Sequence, residues 1–281
     1  LANGYPREAY IFRTDATGRL LWDKALKDHE LTSIQLADDG SYIAAGSLIT
    51  ADADGTAGNG KTEQKACLIR IDDKGETKWI QTYGAVQRSA HSAQQTNDGG
   101  FIISGLSDSG LRPGTYDICI IRTDVSGNVK WTRVFKGSDN AMDCSIYQTR
   151  DKGYIVAYNL GNVPSTVNLL KLDQMGNSQW ETHFSDLRIL SDVQQTTDGG
   201  YVFAGFDLHK NVASRKAFLL KTDAQGNKEW MRNYQGYEMD SDFCSIQQTV
   251  DGGYIMAGST WKGPGDGYPF IIKTDIYGNI K

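Results

Sequence analysis

Several kinds of signal are missing from this 281-residue sequence. No apolar run approaches the roughly 20 residues that a membrane-spanning helix requires. No Lys/Arg cluster is longer than a dipeptide, and the net charge is −5 with a pI near 5.4. That balance excludes the basic footprint of a nucleic-acid-binding protein and gives no attraction to an anionic membrane surface. The four histidines (His29, His91, His183 and His209) show no metal-ligand spacing, and no Gly-x-Ser-x-Gly elbow occurs. Neither a zinc centre nor a serine triad is expected. No segment shows a 3.6-residue apolar period with caps, so helix should be scarce. No signal peptide is visible at the start of the sequence.

What is present is turn chemistry and strand formers. Gly 31 and Tyr 14 accompany an apolar share of 39%, a bias toward strands joined by tight turns. Two short units alternate along the chain. The first has the form apolar-x-apolar-[KR]-x-Asp-x-x-Gly-x-x-x-Trp, as in CLIRIDDKGETKW and FLLKTDAQGNKEW. Its aspartates are Asp15, Asp72, Asp124, Asp173, Asp223 and Asp275, spaced 57, 52, 49, 50 and 52 residues apart. Its tryptophans are Trp22, Trp79, Trp131, Trp180 and Trp230; the last copy, FIIKTDIYGNIK, ends one position before that column. If the natural chain continues past Lys281, its next residue is expected to be Trp. The second unit occurs five times, as in SAQQTNDGGFIISG and SIQQTVDGGYIMAG.

Each unit reads as a β-hairpin, because Asp-x-x-Gly and Asp-Gly-Gly supply the acceptor side chain and positive-φ residue of a tight turn. Two hairpins per roughly 50 residues make one four-stranded antiparallel blade of a β-propeller. With strands named A to D, the second unit gives A and B and the first gives C and D. Strand B is apolar on both faces (Tyr254, Ile255, Met256 and Ala257), which suits a sheet covered on both sides. A solenoid or a two-sheet sandwich fits less well. The expectation is an all-β propeller in a single domain over residues 1–281, with five complete blades and a partial one. A full ring would hold six to eight blades. The chain enters at strand C, since no A–B unit precedes YIFRTD. It would then be a segment of a longer protein, or Tyr10–Leu26 would complete a six-bladed ring.

On these motifs the sequence resembles the Trp-docking repeats of quinoprotein-like propellers. It is more similar still to the tandem QTxDGGYIxAG…KTDxxGNxxW repeats of secreted and surface proteins in bacteria and archaea. The resemblance implies an extracellular, cell-surface or periplasmic location. It also implies that Trp22, Trp79, Trp131, Trp180 and Trp230 pack between adjacent blades as architecture. It does not carry over a quinone, because the adjacent Cys-Cys pair of the quinoprotein alcohol dehydrogenases is absent. No cofactor is expected.

The repeated aspartates read as turn formers, since identical catalytic acids in every copy would serve no purpose. Cys67, Cys119, Cys144 and Cys244 read as small buried residues, and a Cys67–Cys119 bridge would need unusually close Cβ atoms. A small-polar column (Ser33, Ser92, Ser145, Asp192 and Ser245) and the glutamines after it read as packing and hydrogen bonding on the innermost strand. The segments between strands B and C differ in every copy, and variable loops on a rigid frame are the usual carriers of binding. They hold Arg112, Tyr116, His209, Lys210, Trp261 and Tyr268. Trp261 and Tyr268, in the Gly/Pro-rich stretch STWKGPGDGYP, suit stacking on a sugar or gripping a partner protein; the alternative is an aromatic folded back on its own blade. Asp52 and Asp54 are candidate calcium ligands. Position 56 is Thr where an EF-hand loop has an acid, and position 63 is Glu, so a flexible glycine-rich loop is the competing reading. The expected function is a non-catalytic module that binds a glycan or a protein through this loop face. The alternatives are an enzyme with a channel-mouth site and a structural spacer.

Overall fold

The structure, a computed structural model, describes residues 8–51, 62–84, 88–110, 114–135, 141–161, 166–185, 187, 189–208, 215–234, 240–261 and 267–281. The described residues are all strand, turn and bend, with no helix. Accordingly, none has a helix long and apolar enough to cross a membrane. The fold class is that of the β-propeller, built from antiparallel blades in which chain order is spatial order. Two compact units form, Leu1–Lys136 and Gly137–Lys281.

The first unit begins with a two-stranded hairpin, β1 (Glu8–Thr14) and β2 (Leu20–Lys27). One blade follows as β3 (His29–Leu36), β4 (Tyr42–Ala51), β5 (Thr62–Ile71) and β6 (Thr77–Thr82). The next is β7 (Ser89–Gln95), β8 (Phe101–Asp108), β9 (Tyr116–Thr123) and β10 (Val129–Phe135). The second unit holds β11 (Ala141–Gln148), β12 (Tyr154–Leu160), β13 (Thr166–Leu172) and β14 (Ser178–Phe184), then β15 (Ile189–Gln195), β16 (Tyr201–Leu208), β17 (Arg215–Thr222) and β18 (Lys228–Tyr234). Its last sheet has β19 (Asp240–Gln248), β20 (Tyr254–Trp261) and β21 (Gly267–Lys273), with a single bridge, Thr274 to Ile280, where a fourth strand would run.

Turn chemistry fixes each C–D hairpin. Asp173 Oδ1 accepts the amides of Met175 and Asn177, both at 2.8 Å, and the Asn177 side chain closes on Oδ2 at 2.9 Å. Gly176 sits at φ 79°, where a Cβ would be strained. The same arrangement recurs at Asp124, Asp223 and Asp275.

Packing between sheets is directional. Trp22 meets Tyr42 edge-on, at a ring separation of 5.8 Å, and its indole N–H donates to the Asp73 carbonyl at 2.9 Å. Trp79 meets Phe101, Trp180 meets Tyr201 and Trp230 meets Tyr254 at 5.8–6.0 Å. In each case the D-strand indole lies on the first residue of strand B in the sheet that follows. A second column, four residues beyond the tryptophans, adds to this contact. Tyr83 donates to the Gly127 carbonyl at 3.0 Å, and Tyr234 to that of Gly278 at 2.7 Å.

The A strands of neighbouring sheets are laced by glutamines. The Gln95 amide donates to Gln35 and the Asp38 amide to the Gln95 side chain, as the Gln248 amide does to Gln194 and the Thr197 amide to the Gln248 side chain. Strand A also carries a β-bulge in every blade. In four blades it falls just before the small-polar column, between Leu31 and Ser33, Ala90 and Ser92, Leu190 and Asp192, and Phe243 and Ser245. The residue opposite is Gly46, Gly105, Gly205 or Gly258. A Cβ on Gly46 would lie 2.0 Å from the Glu30 carbonyl, and one on Gly205 2.1 Å from that of Ile189. In the remaining blade the glycine is replaced by Tyr158, and the bulge lies instead between Ala141 and Asp143. A side chain on strand B thus displaces the bulge on strand A.

Candidate functional site

The repeated charges are used internally. The basic residue of strand C pairs with the aspartate of the A–B turn: Arg70 with Asp39 at 2.6 Å, Lys171 with Asp151 at 2.8 Å, Lys221 with Asp198 at 2.9 Å, Lys273 with Asp251 at 3.0 Å, and Arg122 with Asp98. Lys221, Lys171 and Arg122 are only 3%, 5% and 6% exposed, so these pairs satisfy cations enclosed by the blade. The sequence shows both members, but in different units of the repeat, and only the fold brings them together.

Asp39 gives this column a pH signature. The Ser41 hydroxyl and amide, followed by the Arg70 guanidinium, lower its pKa to about 2. A carboxyl whose folded pKa is depressed contributes stability above its unfolded pKa and loses it as pH falls through the folded one. The stability gap between the wild type and Asp39→Asn should therefore be flat above about pH 5 and close toward about pH 2. Urea unfolding at a series of pH values measures this directly.

In the second unit, Asp192 is the one carboxylate of the small-polar column. Its Oδ1 accepts from the Ser145 hydroxyl at 3.0 Å and the Val193 amide at 2.9 Å; Oδ2 accepts from the Ser245 hydroxyl at 3.2 Å and the Ile246 amide at 3.0 Å. The carboxylate so joins β11, β15 and β19. Burial pushes its pKa up, and these four donors pull against that shift. Its bonding is that of a clamp between A strands.

The histidines are dispersed. His29 Nδ1 bonds to the Lys27 carbonyl at 2.7 Å, His91 Nε2 to Ser89 Oγ at 3.0 Å, and His183 Nδ1 to Asn168 Oδ1 at 2.6 Å. Among the described residues, no group of three or more His, Cys, Asp or Glu side chains is placed to hold a metal ion. Asp52 and Asp54 lie outside the described residues.

The cysteines form no disulfide among the described residues. Cys67, Cys119 and Cys144 are buried, and burial pushes the Cys67 and Cys119 thiols up to about 12. Cys244 departs from expectation and is exposed. It occupies the bulge between Phe243 and Ser245, and a bulge turns its extra residue out of the ladder.

The end of the blades where the copies differ carries the most varied chemistry. In the first unit Arg88, just before β7, is the centre of a cluster. Its amide donates to the Leu106 carbonyl at 2.7 Å, which anchors the residue. The guanidinium lies 5.4 Å from the centre of the Tyr116 ring, 3.5 Å from Asp108 Oδ1 and 3.5 Å from Gln64 Oε1. Arg88 and Asp108 side chains remain 41% and 68% exposed. Beside them Lys65 pairs with Glu63 at 3.0 Å, and Ser109 and Thr115 bond through their hydroxyls at 2.6 Å. An aromatic face, a guanidinium, a carboxylate and an amide thus converge at the strand ends. The sequence singles out Tyr116, whereas Arg88 and Asp108 join it only through the fold. Their signal is weak: both are non-repeated charges flanking strands.

In the second unit Tyr268 is 53% exposed, but it lies in β21, with its Cα partnered to Thr260. Trp261 is likewise not a loop residue. It ends β20, between Asp240 and Gly267, because the ladder runs further than turn chemistry indicates. Arg112, His209 and Lys210 lie outside the described residues.

No protein-family model matches the chain, and no curated protein matches it in sequence. Solved structures do match. A protein of unknown function from Bacteroides caccae superposes with a TM-score of 0.66 at 12% identity, covering 98% of this chain and 92% of its own. A GH43 β-1,3-galactosidase gives 0.53 at 12% identity, over 99% of this chain and 62% of the enzyme. A PL25 ulvan lyase gives 0.57 at 11% identity, over 90% of this chain and 69% of the lyase. At such identities the likeness is one of fold.

Proposed function

We propose that this protein is a non-catalytic binding module, extracellular or at a cell surface, that recognises a glycan through the B–C loop end of its blades. The observation that carries the proposal is the side-chain cluster of Arg88, Tyr116 and Asp108, which stands where the repeats diverge. An aromatic face suits a sugar ring, while the guanidinium, carboxylate and Gln64 amide supply donors and acceptors for its hydroxyls. Two of the fold neighbours, the galactosidase and the lyase, are by name proteins that act on carbohydrate. A protein ligand is the competing occupant of the same surface.

A glycan array probed with the full chain tests this reading. For a retained glycan, Tyr116→Ala and Arg88→Ala should each weaken binding about tenfold or more while leaving the melting temperature nearly unchanged. Retention of full affinity in both variants would remove the site from this surface.

A further inference from the structure

The first hairpin is dressed for a partner. β1 is strand C of its sheet, joined on one edge to β2. In every other sheet strand C is also joined to strand B in one fixed register, such as Gly46 to Cys67, Ala44 to Ile69 and Tyr42 to Ile71. The β1 residues at the Cys67 and Ile69 positions are Tyr10 and Phe12, which are 60% and 62% exposed. Their counterparts in three four-stranded sheets, Cys67, Ile69, Cys119, Ile121, Phe218 and Leu220, are all 0% exposed, and Phe270 and Ile272 in the three-stranded sheet are half-buried. Ile34 on β3 repeats the contrast: it is 52% exposed, whereas Ala93, Val193 and Ile246 at the same place in their strands are 7%, 2% and 6% exposed. Between them lies a groove of about 330 Å³, walled by Tyr10, Ile11 and Phe12 of β1 and by residues 31–34 of β3.

Charge points the same way. Arg13 holds the strand-C position whose counterparts Arg70, Arg122, Lys171, Lys221 and Lys273 each grip the aspartate of an A–B turn. Arg13 instead donates to the Asp73 carbonyl at 2.7 Å and stands 5.8 Å from the Tyr42 ring centre.

We propose that the edge of β1 that no described residue pairs with, together with the groove beside β3, is an acceptor for a β-hairpin of the A–B repeat type, bound by strand addition. The guest's B strand would pair with β1 so that its tyrosine lies opposite Thr14 and its last glycine opposite Tyr10, the register of every other blade. Its turn aspartate would pair with Arg13, and its apolar residues would cover Phe12 and Ile34. Main-chain pairing supplies affinity in such augmentation, while the alternating side chains and the ion pair supply specificity.

A peptide with the sequence Ser245–Gly258, its ends joined by an added cross-strand disulfide because a lone hairpin is marginal in water, tests the proposal on the full chain. Saturable one-to-one binding is expected, with protection of β1 amides from hydrogen exchange. Replacing the peptide's Asp251 by Ala should weaken binding about tenfold or more, the loss of one charge-assisted hydrogen bond. Arg13→Asp should weaken it likewise, and a peptide carrying Asp251→Arg should recover part of that loss. Binding no tighter than that of a scrambled peptide would overturn the idea. So would binding that leaves β1 amides unprotected or ignores Arg13. A concentration-dependent dimer that the peptide fails to dissociate would assign the edge to a second copy instead.

Discussion

Gly205→Val is expected to cost about 3 kcal/mol or more, through overpacking against backbone that has no room to yield. The Cβ would stand 2.1 Å from the Ile189 carbonyl oxygen and 2.9 Å from the Leu190 Cα. Neither atom is the movable end of a side chain. Relief requires the bulge between Leu190 and Asp192 to move, and Asp192 is bonded through it to Ser145, Ser245 and Ile246. The Tyr158 blade shows the alternative arrangement, with its bulge between Ala141 and Asp143. Urea unfolding measures the loss, and Gly205→Ala should show a smaller version of it. A midpoint equal to that of the wild type would mean that the bulge relocates freely, and that the glycines opposite it are not required.

The second large effect is expected at Asp151→Ala, at about 2–3 kcal/mol, since breaking an enclosed ion pair strands the remaining charge. Lys171 is 5% exposed, and Asp151 is its carboxylate partner at 2.8 and 3.2 Å; the Leu172 carbonyl at 3.0 Å is its other contact. Asp151 itself is 56% exposed, which puts the cost below that of a fully buried pair. Two comparisons separate this cause from simple loss of a turn residue. Asp198→Ala should be milder, because Lys221 keeps Glu229 at 2.9 Å. Adding Lys171→Met to Asp151→Ala should restore most of the stability, by removing the cation that the first change strands. Failure of that rescue would place the cost in the Thr149–Asp151–Gly153 turn instead.

The hairpins, the strand order and the turn aspartates are legible from the sequence because they are local. Asp173 needs only the next four residues to form its turn, and nothing distant can reverse that preference. The tryptophan contacts follow at one remove, since the spacing that repeats the turn also repeats the ring. Less legible is whatever depends on chain segments meeting. The extension of β20 to Trp261 is set by its partners Asp240 and Gly267, which no pattern near Trp261 announces. Exposure of Cys244 follows from a bulge, and the position of that bulge goes with a glycine on the next strand. Arg88 acquires significance only when Tyr116, Asp108 and Gln64 arrive around it. The pairing of Lys171 with Asp151 was written in both repeat units. It stayed hidden because neither residue means much without the other.

The tryptophan contacts also have a grammar. Within each unit a ring passes forward, from the last strand of one sheet to the second strand of the next, as Trp22, Trp79, Trp180 and Trp230 do, so these contacts are head-to-tail and not self-complementary. A joint of that kind contains no instruction to stop. A segment of roughly 50 residues can be copied or lost in a single genetic event, and the joints on either side still match. Descent by duplication therefore costs this architecture no new interface. Divergence is left free to accumulate in the B–C loops, away from the joint that makes copying safe.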